Sequence, residues 1–268
     1  MGEVLLRVEK MSKSFGPTRA LQEVDLTVYR GEIRGLVGEN GSGKSTLSSI
    51  IAGIQKCDSG KMYKDGELYE PVNVVDAQKR GVAMIVQEMG TIPNIGIADN
   101  IFLGREKEFR KGSFLDQKAM VKAANKILAE IGAEGIDPSK SINTINLEAR
   151  KIVEIARAMY SNPDLLIVDE STTALSQHGR EIIYNIMRKM RDSGKSILFI
   201  SHDLEELIEI CSGITVLRDG QMIGTLEKDE ITVDRLRTMM VGRELKGDYY
   251  RSDYDGTYGE KVVLRAEN

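Results

Sequence analysis

The chain has 268 residues, enough for one large domain or two small ones with a substantial core. A net charge of −4, no tryptophan and aromatics at 5% argue against a general nucleic-acid surface or a stacking platform for single strands. No apolar run approaches the roughly 18 residues of a membrane span, so any membrane association is expected to come through a partner.

In chain order, residues 3–9 (EVLLRVE) and 22–29 (QEVDLTVY) alternate apolar and polar, as half-buried antiparallel strands do. Residues 32–37 read as a short buried strand, and residues 47–52 as the first turns of a helix. Between them lies Gly38-Glu39-Asn40-Gly41-Ser42-Gly43-Lys44-Ser45-Thr46, a complete G-x-x-x-x-G-K-[ST] loop in its required strand–loop–helix setting. Cys57 and Cys211 are far apart and read as ordinary reduced thiols. Residues 61–63 and 67–69 form a predicted hairpin around Asp65-Gly66.

Residues 82–86 make a short apolar strand. Met120, Val121, Ala124, Ile127, Leu128 and Ile131 recur at helical spacing within 116–131, and residues 148–160 are also helical. After the turn Asn162-Pro163-Asp164, Leu165–Val168 is a buried strand ending in Asp169 and Glu170. A helix over 178–191, a strand over 196–200 and a closing hairpin from Gly213 follow. Alternation of strands and helices implies a parallel sheet, interrupted by a mostly helical insertion over about 90–160. Residues 246–259 are polar and rich in Gly, Asp and Tyr, as a linker is. Val262–Asn268 then repeats Val4–Lys10 at four of seven positions, as if a second copy were beginning.

The glycine-rich loop turns backbone N–H groups onto an anion, and the following helix adds its positive end. Lys44 would reach the β- and γ-phosphates of a nucleoside triphosphate, and the Ser45 hydroxyl would bind Mg²⁺. Asp169 would hold Mg²⁺ through its water shell while Glu170 polarises the attacking water, since adjacent strand residues alternate direction. Gln87, after the strand over 82–86, either touches both Mg²⁺ and the lytic water or is a polar loop residue. His202 follows the strand over 196–200, where an imidazole can contact the γ-phosphate and fix Glu170. Phe15 either stacks on adenine or belongs to the core.

With these residues in place, Gly38–Thr46 resembles a Walker A motif, Leu165–Glu170 a Walker B motif, Gln87 a Q-loop and His202 an H-loop. Together they resemble the ATPase subunit of ABC transporters over almost the whole chain. Val37–Gly41, Gln87-Glu88, Asn100–Glu106, Val153–Ala156 and Met239–Arg243 are similar to the monosaccharide-importer branch, which carries two fused ATPase domains. The resemblance implies an α/β P-loop NTPase fold of the ABC type, with a RecA-like parallel-sheet core, an antiparallel β subdomain and an inserted α-helical subdomain. It implies an ABC domain over 1–245, a linker over 246–260 and the start of a second ABC domain at 261–268.

The same resemblance implies ATP and Mg²⁺ as ligands, ATP hydrolysis coupled to solute import, and a place at the cytoplasmic face of the membrane. Implied partners are a second ABC domain, as fused half or homodimer, the permease subunits and, indirectly, a solute-binding protein. Nucleic acid is not among them. Residues near 88–112 would form the groove for a permease coupling helix. An ABC ATPase acting on nucleic acid or ribosomes would carry coiled coils, zinc sites or basic linkers, which are not visible. A regulator that binds nucleotide without turnover is opposed by Lys44, Asp169, Glu170 and His202 and favoured by one departure from the family pattern.

That departure is at Ile145-Asn146-Leu147-Glu148-Ala149, which align with the family's L-S-G-G-Q-like signature. Asn146 replaces its serine and Glu148 its second glycine. The signature holds the γ-phosphate bound to the opposite domain, so Glu148 would set a carboxylate near it. At an effective dielectric of about 20, two unit charges 4 Å apart repel by roughly 4 kcal/mol. One weak composite site and one productive site are therefore expected, with low turnover by this chain alone. Ser171 stands where the family usually has proline, with no functional consequence expected.

Overall fold

The computed structural model describes residues 2–86, 90–170, 172 and 175–242. The expected linker and second-domain start, together with Gln87 and Ser171, lie outside the described residues.

Two long antiparallel strands open the chain, β1 (Val4–Phe15) and β2 (Thr18–Tyr29). They run past the expected stretches because a register shift between Val8 and Met11, with Lys10 at φ 47°, breaks the alternation without ending the pairing. The chain continues through β3 (Ile33–Val37), α1 (Lys44–Ile51), β4 (Ser59–Lys64), β5 (Glu67–Leu68), α2 (Val74–Lys79) and β6 (Val82–Ile85). Next come α3 (Ile97–Ile101), the hairpin β7 (Arg110–Lys111) and β8 (Phe114–Leu115), α4 (Gln117–Glu130) and α5 (Leu147–Tyr160). The remainder is β9 (Leu165–Asp169), α6 (Gln177–Asp192), β10 (Ser196–Ile200), α7 (Leu204–Ile210), β11 (Gly213–Arg218), β12 (Gln221–Glu227) and α8 (Val233–Val241).

One sheet has the order β2-β1-β4-β5 and is antiparallel. The other has the order β12-β11-β3-β10-β9-β6 and is parallel except for β12, which returns antiparallel along β11. The parallel strands are buried on both faces, which is why Leu165–Val168 of β9 and Ile197–Ile200 of β10 read as unbroken apolar runs, while β3 buries Arg34 by pairing it with Glu32 at 2.8 Å. Leu165 and Ile167 pack with Leu36, Leu198, α1 and the antiparallel sheet. Leu166 and Val168 pack on the other side with Phe199, Ile197 and the helices α3 to α6.

This alternation puts Asp169 on the α1 side and brings the ends of β3, β9 and β10 to one edge. The helical insertion is present as α3, α4 and α5, but it also holds the β7–β8 hairpin. The Asp116 carboxylate N-caps α4 by accepting from the Ala119 N–H at 3.0 Å.

Candidate nucleotide-binding site

Between β3 and α1 the backbone turns sharply, with Gly41 at φ 81° and Gly43 at φ 105°. A Cβ at Gly43 would lie 2.5 Å from Ala20 O, and one at Gly38 would lie 2.2 Å from Leu217 O. Only glycine fits either place. Gly43 also N-caps α1 without a side chain, so the open first turn faces the hollow of the loop. The loop is stitched to distant elements. The Gly220 N–H donates to Ser42 O (3.2 Å), and the Gln22 N–H donates to Gly220 O (2.7 Å). The Gln22 side-chain amide donates to Asp219 O (2.8 Å).

Lys44 Nζ donates to Gly38 O at 2.8 Å and Glu39 O at 3.1 Å, so the ammonium curls into its own loop. Burial pulls its pKa down, opposed by Glu170 and then Asp169. Asp169 Oδ2 accepts from Ser48 Oγ of α1 at 3.1 Å. Burial pushes the Asp169 carboxyl up, the Ser48 bond lowers it, the Glu170 charge raises it, and the Ser45 hydroxyl and Lys44 lower it. Hard oxygen donors on Ser45 and Asp169 beside a lysine fit Mg²⁺ and a polyphosphate. Ser42 Oγ, buried in the loop, has no hydrogen-bond partner among the described residues.

Glu170 takes the left-handed conformation at φ 45°, and its N–H donates to Ile200 O of the neighbouring strand at 3.0 Å. Its Oε1 lies 2.6 Å from His202 Nε2. Phe15 is 46% exposed, so it is not a core residue. With Thr18, Asn40–Thr46, Glu170 and His202 it borders an open cavity of about 700 Å³. The structure thus gathers Phe15, the phosphate loop, Asp169, Glu170 and His202 in one place.

Asn146 to Ala149 stand elsewhere. Asn146 N-caps α5, its Oδ1 accepting from the Ala149 N–H at 2.8 Å, and Leu147 is exposed. Glu148 has a partner within its own domain. Its Oε1 accepts from Ser176 Oγ at 2.5 Å, and Ser176 in turn caps α6 through the Gly179 N–H. A Cβ on Gly179 would lie 2.5 Å from Glu148 Oε1, so the glycine makes room for the carboxylate. Asn146, Glu148, Ala149 and Ser176 border a second cavity of about 300 Å³, which shares no lining residue with the first.

Two polar clusters escaped the sequence reading. On α5, Lys151 Nζ donates to Val86 O (2.6 Å) and pairs with Glu154 Oε2 (3.0 Å). Glu154 also accepts from the Gly90 N–H, and Arg157 donates to Gly90 O (2.9 Å). The helix therefore grips the chain on both sides of residues 87–89. A spacing of three residues with alternating charge is the signal, but it looks like a solvated face. The second cluster surrounds Glu206 on α7. There Asp203 followed by Glu206 three residues later is the legible helix-start pattern.

Residues 21–173, more than half the chain, match the family described as ABC transporter. The chain belongs to the ABC transporter family. A curated relative is the ribose import ATP-binding protein RbsA of Caldanaerobacter subterraneus subsp. tengcongensis, 40% identical over 266 residues. That match covers 99% of this ABC chain and 53% of the relative, so the chain spans about half the length of the curated relatives it matches. Among solved structures, the ADP conformation of an ATP-binding cassette of an ABC transporter superposes with a TM-score of 0.75 at 24% identity, covering 90% of this chain and 99% of that one. A dimeric post-hydrolysis cassette bound to ADP and Pi gives 0.72 at 24%, covering 84% and 99%. Both show the ABC ATPase fold.

Proposed function

We propose that this chain binds and hydrolyses Mg-ATP to power import of a monosaccharide or similar small polar solute. The observation that carries the reading is the Glu170–His202 pair at 2.6 Å, set at the same sheet edge as the phosphate loop. Lys44 and the first turn of α1 would bind the β- and γ-phosphates, and Phe15 would stack on the base. Ser45 and Asp169 would hold Mg²⁺, which neutralises charge between the β- and γ-phosphates when bound. Glu170 would orient and deprotonate the attacking water, and His202 would hold Glu170 while contacting the γ-phosphate. Gln87 is assigned to Mg²⁺ and the lytic water by its place after β6.

The same reading includes a second ABC domain, permease subunits docked near residues 88–112 and an indirect solute-binding protein, at the cytoplasmic face of the membrane. Similarity to ribose import proteins supports a sugar. The departures at Asn146 and Glu148 support unequal composite sites, the productive one using Gly38–Thr46 of this chain. The test is ATP-dependent uptake of labelled monosaccharides by the assembled transporter, with Glu170→Gln as control. Uptake that survives Glu170→Gln, or ATP turnover without dependence on any sugar-binding partner, would overturn the reading.

A further inference from the structure

A buried carboxylate that the proposed chemistry does not use bonds to the chain segments next to Glu170 and His202. Glu206 sits in the first turn of α7, its backbone N–H held with that of Glu205 by the Asp203 side chain. Among the described residues it forms no ion pair. Three hydroxyls from three parts of the chain donate to it instead. Tyr184 of α6 donates to Oε1. Ser201 donates to Oε2 at 2.5 Å, and Thr172 donates to the same oxygen at 3.3 Å. Ser201, Thr172 and Glu206 are all buried. An ionised carboxylate is an acceptor only, so three donors suit it without a cation.

The positions of the donors matter. Thr172 lies two residues after Glu170, and Ser201 lies one residue before His202. Glu206 Oε2 therefore joins the segment leaving β9 to the segment leaving β10, each of which carries one of the two side chains that meet at 2.6 Å. Ser201 Oγ also accepts from the Asp203 N–H at 3.1 Å, which closes the turn carrying His202. Glu170 itself is in the left-handed region at φ 45°, a conformation that persists only where surrounding bonds impose it.

We propose that Glu206 is a positioning residue for hydrolysis: by bonding Thr172 and Ser201 through one oxygen, it sets the relative placement of Glu170 and His202. The inference rests on the hydrolytic reading above and adds to it a buried residue outside the lining of the nucleotide cavity. Tyr184 bonds the other oxygen from the α6 side and holds neither loop. It provides the internal comparison.

The experiment uses the full chain with its natural partners and the variants Glu206→Gln, Thr172→Val and Tyr184→Phe. Glu206→Gln is expected to lower kcat about tenfold while KM and Mg-ATP affinity stay within about twofold, as misplacement of a reacting group does. Thr172→Val should act in the same direction. Tyr184→Phe should lower Tm but leave kcat in place. A second readout needs no turnover. The chain has two histidines, His178 and His202. Their ring NMR signals are assigned with His178→Asn. Glu206→Gln should move the His202 signal and leave that of His178. Unmoved His202 signals in folded Glu206→Gln and Thr172→Val overturn the proposal. So does Tyr184→Phe lowering kcat in proportion to its loss of stability. Wild-type protein that fails to hydrolyse ATP would sink the hydrolytic reading, while the His202 signal would still decide the role of Glu206.

Discussion

The contact between Glu148 and Ser176 gives a quantitative test of the signature role proposed for Asn146–Ala149. A hydrogen bond to a charged acceptor contributes about 1.5–3 kcal/mol. Glu148 is half-buried, so solvent screening reduces this to about 1 kcal/mol. A double-mutant cycle of Glu148→Ala and Ser176→Ala should return that coupling. Glu148→Ala alone should lower Tm by about 2–4 °C in a chain of this size. Gly179→Ala would gain about 1 kcal/mol in an open helix. Here it should gain nothing, because the new Cβ would stand 2.5 Å from Glu148 Oε1. The ATPase assay gives the sharper contrast. Were the carboxylate free to face nucleotide on a second domain, removing a repulsion of about 4 kcal/mol would raise turnover there about a thousandfold. With the carboxylate held by Ser176, Glu148→Ala should change turnover of the full chain by less than about twofold, since the proposed weak site would still lack the donors of the family's signature. A tenfold rise, or a coupling below about 0.3 kcal/mol, would refute the reasoning.

Three further outcomes are expected. Glu170→Gln should cut ATP turnover at least about a hundredfold while Mg-ATP binding by equilibrium titration is retained; loss of binding in step with turnover would contradict its assigned role. Gly43→Ala should weaken nucleotide binding at least about tenfold with the fold intact by circular dichroism, since φ 105° and the 2.5 Å approach to Ala20 O both exclude a side chain; unchanged affinity would show the loop tolerating a shift. The Asp116 carboxyl is held below its ordinary range by the Lys111 bond and then by the Ala119 N–H. Its contribution is therefore full above the ordinary aspartate pKa and lost as pH falls through the folded value. The stability gap between wild type and Asp116→Ala should close below about pH 4 in denaturation curves, and a gap that stays constant to the acid limit of folding speaks against it.

The parts of the site written in contiguous residues were legible. Gly38–Thr46, the apolar run into Asp169-Glu170 and the strand before His202 each carry their geometry locally, because glycine φ and strand alternation act over a few residues. β1 was cut short because the bulge at Lys10 reverses the apolar phase while the pairing goes on. The helices α2, α3 and α7 span too few turns for a period to show, and tertiary packing holds them. The direction of Glu148 was hidden for another reason: it depends on Gly179 leaving room and on Ser176, 28 positions along the chain. Glu206 likewise takes meaning only when Thr172, Tyr184 and Ser201 have converged.

The bonds that join the phosphate loop to Gly220, and Gln22 to both Gly220 and Asp219, bear on the order of assembly. Gln22 and Asp219 are 197 positions apart. A truncated chain ending before β11 would contain every residue of the loop and still lack the turn on which Ser42 and Gln22 rest. Closing so long a connection is slow relative to local helix formation. Competence for nucleotide should therefore arrive late in folding, once the C-terminal strands are in place, and a nascent chain would remain blind to nucleotide until nearly all of the domain had formed.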